Sequence, residues 1–73
     1  MSVFAKRIKI LMDENELNIK GMSEKTGIPK SNLAGWIRSE HYPNGCSLIK
    51  LSQAFDVSTD WILGISNFRK VKR

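Results

Sequence analysis

The stretch "MSEKTGIPKSNLAGW", residues 22–36, decides the fold. Gly27 sits where a helix ends in a left-handed residue, a conformation glycine reaches without a steric penalty. Pro29 fits the first turn of the next helix, because its missing N–H would be unpaired there anyway. Leu33, Trp36 and Ile37 then fall at i, i+3 and i+4, so they share one face and point inward. The positions left outward are Lys30, Ser31, Asn32 and Gly35, which are polar or lack a side chain. Two short helices, at 19–25 and about 30–38, therefore meet at a turn of about four residues.

Upstream, "VFAKRIKILMDE" (3–14) places Phe4, Ile8 and Leu11 on one helical stripe, with Ile10 and Met12 off it. Asn18 is the expected N-cap of the second helix. Downstream, "SEHYPNG" (39–45) reads as a loop punctuated by Pro43 and Asn44. Asn44 caps a fourth helix whose apolar positions are Leu48, Ile49, Leu51 and Phe55. Ser58 caps a fifth, "TDWIL" (59–63), and Gly64 ends it. Nothing alternates at period two for long enough to make a strand, and there is no internal repeat. The expectation is an all-α chain of five short helices, with residues 1–65 as the domain and 66–73 as a basic, frayed tail.

The chain has 73 residues, which suits one domain with a thin core. No window approaches the ~18 apolar residues of a membrane span. Lys and Arg interrupt the first residues, so they do not read as a signal peptide. Cys46 is the sole cysteine, which rules out a disulfide framework within the chain and fits a reducing cytoplasm. It is expected as a small, half-buried filler. The net charge is +5, but the tail "RKVKR" (69–73) holds four of the twelve basic residues. Eight basic residues face seven acidic ones in the remainder. Such a tail suits nucleic acid, an anionic membrane surface or solubility alone, and charge by itself does not choose. There is no spaced carboxylate pair, Gly-rich phosphate loop or Cys/His cluster, so neither an enzyme nor a cofactor or metal is expected.

The two helices about Gly27 have the spacing of a helix-turn-helix. Ser23 is small where the helices cross, Gly27 lies at the turn, Leu33 plugs the second helix into the core, and Trp36 follows about one turn later. With these positions stand "RIKILMDENELN", Pro43 and "LSQAFDVSTDWILG", in order. From about Phe4 to Gly64 the sequence resembles the Cro/CI, or XRE, helix-turn-helix domains, the lambda-repressor-like type found at the N-termini of phage repressors.

The resemblance implies that the second helix of the motif enters the major groove and reads bases from its first turn. Lys30 and Ser31 would read there. Asn32 would pair with adenine or, lying one residue beyond the usual reading positions, meet phosphate instead. Gly35 stands where relatives often carry a long reading side chain and would itself read nothing. Arg38 would reach phosphate or an outer base. Further phosphate contacts would come from Asn18 and Lys20 at the second helix, and from His41, Tyr42 and Asn44 in the loop. Ile19 departs from the glutamine often found at its position and offers no such contact. Met12 and Ile37 replace, together, an Arg–Glu pair of many relatives, so they are expected to pack as an apolar pair.

Other readings of the same residues are plainer. Helical spacing makes Trp36 core, while Trp61 is either core or dimer surface. His41 has no acid or nucleophile placed beside it by motif. The resemblance implies a transcriptional repressor in the bacterial cytoplasm or a phage-infected host, binding double-stranded DNA as a homodimer, with an antirepressor as a further possible partner. An alternative is a protein-interaction module, such as an antirepressor target or the antitoxin of a toxin–antitoxin pair. Its support is the surplus of apolar residues off the main stripe: Ile10, Ile19, Ile62 and Ile65.

Overall fold

In the computed structural model, residues 2–39 and 41–70 are described. Five helices follow in order: α1 (Val3–Glu14), α2 (Ile19–Thr26), α3 (Lys30–Ile37), α4 (Gly45–Phe55) and α5 (Thr59–Leu63). There is no strand among the described residues. Four of the five helices begin on a side-chain cap, in which an Asn or Ser oxygen accepts an otherwise orphaned N–H. Asn18 accepts from Gly21, Asn44 from Ser47 and Ser58 from Trp61, as the sequence predicts; Ser2 does the same for Ala5. α3 is the exception. Pro29 stands at its N-cap with φ −59° and ψ 143° and makes no side-chain bond. The Pro29 carbonyl instead accepts from the N–H groups of Asn32 and Leu33.

The helices close on one core. Phe4, Ile8 and Leu11 of α1 meet Met22, Ile28, Leu33, Trp36, Leu51, Val57 and Ile62. Trp36 is 1% exposed and receives the Phe4 ring edge-on, with centroids 5.4 Å apart. Met12 is buried within this cluster and Ile37 packs against it. α5 packs on both α1 and α4, so its adjacent residues Trp61 and Ile62 are both buried.

Two of the burial expectations need correction, at Ile62 and at Cys46. Ile62 is part of the core, so it does not belong to a surplus apolar surface. Ile49 is 55% exposed, because it lies about 160° around α4 from the buried Leu51 at 3.6 residues per turn. Cys46 is exposed as well, in the first turn of α4 and about 140° from Leu51.

Trp61 turns inward, and cations cover it. The guanidinium carbons of Arg7 and Arg69 lie 4.6 and 4.8 Å from its ring centroid. Arg7 also donates to the carbonyls of Trp61 (2.8 Å) and Ser66 (3.2 Å), which fixes the end of α5 to α1. Residues 66–70 lie along this join: the Ser58 N–H donates to the Arg69 carbonyl and the Ser58 hydroxyl to that of Phe68. Residues 66–70 are therefore not frayed as expected but tied back by these bonds; the rest of the basic tail, 71–73, is outside the described residues. Arg69 also forms a two-point ion pair with Glu14 at the end of α1.

That pair gives the domain an acid-sensitive contact. Hydrogen bonds from Arg69 hold the Glu14 carboxyl below the usual carboxylate range, with its charge adding to the effect. A carboxyl depressed in the folded state stabilises fully above its unfolded pKa of about 4.3. That contribution fades as pH falls through the folded value. Urea unfolding from pH 6 to pH 3 is expected to show a smaller loss of stability for Glu14→Gln than for the parent. Parallel curves for the two proteins would show that the pair is silent.

Candidate nucleic-acid interface

The turn between α2 and α3 is held by side chains as well as by its glycine. Gly27 has φ +76° and its N–H donates to the Ser23 carbonyl. A β-branched side chain there would resist positive φ. The Ser23 hydroxyl donates to the Ile28 carbonyl at 2.6 Å. Thr26 Oγ1 donates to the Met22 carbonyl and accepts from the Ile28 N–H. Backbone groups that a turn would leave unpaired are thereby satisfied, and Ile28 is drawn into the core at 1% exposure. Smallness explains Ser23 only in part. Its hydrogen bond across the turn went unread in the sequence, where a Ser five residues before the paired carbonyl is a weak signal.

This turn sets the rotation of α3 about its axis. With Leu33 and Trp36 inward, Lys30 and Ser31 are exposed and Asn32 is half-buried at the side. Arg38 follows the helix, exposed. It lies seven residues beyond Ser31, hence within about 20° of it around the axis. Ser31 and Arg38 thus share one outward face, and Lys30 and Asn32, each about 100° from Ser31, border it on either side. α2 packs on α3 and brings a second helix start to the domain surface. There Asn18 and Lys20 are exposed and Ile19 half-buried. Asn18 Oδ1 is engaged by the Gly21 N–H, so its amide N–H groups are the atoms suited to a phosphate oxygen. Asn44 has the same arrangement at α4, with Oδ1 accepting from Ser47 at 2.9 Å.

The loop after α3 is where the structure departs most from the sequence expectation. Tyr42 is 66% exposed, with its ring 5.8 Å from that of Phe4. His41 does not stand apart in the loop. Its imidazole lies on Gly35 of α3. Gly35, expected as an empty outward position, is consequently buried.

Elsewhere, a surface groove of about 430 Å³ runs past Leu11, Glu14, Lys25, Phe55 and Arg69, and no α3 residue lines it. No group of His, Cys, Asp or Glu that could hold a metal ion occurs among the described residues. None of their helices is long and apolar enough to cross a membrane.

A family model described as "Helix-turn-helix" matches residues 8–62, which includes both helices of the motif and the cores of α4 and α5. The chain belongs to the helix-turn-helix family. Within it, this protein is of the XRE type. Among solved structures, the helix-turn-helix fold of this chain is similar to that of the P22 c2 repressor protein, crystallised in complex with the synthetic operator 9T. The TM-score is 0.78 at 26% identity, over 90% of this chain and 100% of that one. Two relatives come from Bacillus subtilis (strain 168). One is the uncharacterized HTH-type transcriptional regulator YobD, 31% identical over 89% of this chain and 58% of its own length. The other is the HTH-type transcriptional regulator ImmR, 36% identical over 81% of this chain and 46% of its length. The chain thus spans about half the length of these curated relatives.

Proposed function

We propose that this chain is a sequence-specific DNA-binding transcriptional repressor, or the DNA-binding part of one, that acts in the cytoplasm. One observation carries the reading. The chain's fold follows, over all of that chain, a repressor solved on its operator. The exposed first turn of α3 supports it, since Lys30, Ser31 and Asn32 are polar, adjacent and rigidly oriented by the turn.

The mechanism is steric occupation of a near-palindromic operator. α3 enters the major groove, where Lys30 donates to guanine O6 or N7 and Ser31 bonds a neighbouring base edge. Asn32 and Arg38 bound that contact. Asn18 and Lys20 on one side and His41, Tyr42 and Asn44 on the other hold the backbone and fix the register, since phosphate contacts position while base contacts specify. Two copies would place their α3 helices in successive major grooves, ~34 Å apart. Ile65 and Phe68, 74% and 77% exposed beyond α5, are suited to contact between copies. Residues 1–65 serve as the reading domain and 66–73 as its basic tail, of which 66–70 is tied back onto the domain. No chemistry on a substrate is assigned to it.

Selection from a random duplex library at near-physiological salt tests this reading. A palindromic motif with half-sites about one helical turn apart is expected. Lys30→Ala should lose about 1–3 kcal/mol on the selected site and relax the preference at one base pair of each half-site. Equal losses on operator and random duplex would remove Lys30 from the reading role.

A second reading has its own observation. Ile10, Ile65 and Phe68 remain exposed on this small domain, which suits a protein-interaction module such as an antirepressor target or an antitoxin. Such a module would pair or self-associate without the steep salt dependence of phosphate binding.

A further inference from the structure

Gly35 is buried on the wrong side of its helix. At 3.6 residues per turn it lies about 40° around α3 from Ser31 and about 60° from Arg38, both exposed. The core-facing residues Leu33 and Trp36 lie about 160° and 100° from it. Its burial therefore does not come from the core. A Cβ at position 35 would overlap His41 Nε2 and stand 2.9 Å from Cδ2 and 3.0 Å from Cε1. Glycine inside a helix is unfavourable in backbone entropy, so its presence calls for a local reason. Here the reason is close approach: only a residue without a side chain lets the imidazole rest on the helix.

The loop is built to deliver that ring. Ser39 has φ +62°, which turns the chain sharply after α3. Its N–H donates to the Trp36 carbonyl, and its hydroxyl oxygen accepts from the Ser2 N–H. Beyond the ring, Tyr42 lies against Phe4 and Asn44 caps α4. His41 is thus held between an anchored turn and an anchored helix start. The three ring atoms nearest Gly35 are Nε2, Cδ2 and Cε1, so Nδ1 is on the edge turned away from the helix.

We propose that His41 is a base-reading residue, its imidazole standing on α3 in place of the side chain that Gly35 lacks. This rests on the DNA-reading function proposed above and moves His41 from the phosphate contacts to the bases. The ring adds to the Ser31–Arg38 surface a planar group whose Nδ1, when it carries the proton, is an N–H donor. That donor suits guanine N7 or O6 in the major groove.

Site selection with the unaltered chain, His41→Ala, Gly35→Ala and the double variant tests it. His41 is exposed, so its truncation leaves the core in place. Far-UV circular dichroism checks the helices of each variant. His41→Ala is expected to retain the palindrome but to lose about tenfold discrimination at one base pair of each half-site. Gly35→Ala, which pushes the ring off the helix, should flatten the same base pair. In the His41→Ala background it should add no further loss. A full motif retained by both single variants would overturn the proposal. So would a uniform loss on all sequences with His41→Ala, which marks a phosphate contact. If the unaltered chain enriches no motif, the DNA-reading function itself fails and His41 loses its role with it.

Discussion

Trp36→Ala is expected to cost about 3–5 kcal/mol of folding stability. The indole is 1% exposed and stands where α1 meets α3, edge-on to Phe4. Its removal leaves a void that Leu33 and Phe4 cannot both collapse to fill, because each is already packed at 0–1% exposure. At roughly 0.05–0.15 kcal/mol per residue, a domain of this length has about 4–11 kcal/mol in total. The variant should therefore lose between about a quarter and all of that stability. Urea denaturation followed by far-UV circular dichroism measures the loss. DNA binding should fall in step with the folded fraction, since the indole carries the face of α3 opposite to Ser31. A loss under about 1 kcal/mol would show that the α1–α3 seam is plastic.

Arg7→Met is the second large effect, expected at about 2–3 kcal/mol. Methionine keeps the aliphatic stem and removes the guanidinium. The change deletes charged hydrogen bonds to the carbonyls of Trp61 and Ser66, of a kind worth ~1.5–3 kcal/mol. It also removes one of the two guanidinium groups over the Trp61 ring. Thermal melting measures the global loss. Amide exchange gives a local readout: the Ser58 N–H, bonded to the Arg69 carbonyl, should exchange faster once residues 66–70 lose their tie. Unchanged melting would mean that packing of Ile62 alone holds α5.

These two residues show unequal legibility. Trp36 was readable as core because helical spacing ties it to Leu33 and Ile37. Arg7 was not, since its partners lie more than fifty residues away and are mostly backbone carbonyls, which every sequence position offers alike. Cys46, expected half-buried, is exposed for a related reason. An apolar residue on a short helix has no fixed side until the neighbouring helices are in place. At the proposed reading surface only the helix start is legible: the turn through Gly27 and Pro29 fixes that Lys30, Ser31 and Asn32 begin α3.

The sequence by itself determined the five helices, the caps at Asn18, Asn44 and Ser58, the left-handed turn at Gly27, and the family that these spacings mark. All of these depend on interactions within a few residues, where side-chain type and backbone preference act directly. Only the tertiary structure decided that Trp61 faces inward beneath two arginines, that Arg69 returns to Glu14, and that His41 covers Gly35. Each joins residues distant in the chain or carried by a loop, and their meeting follows from how the helices pack, which no local preference encodes.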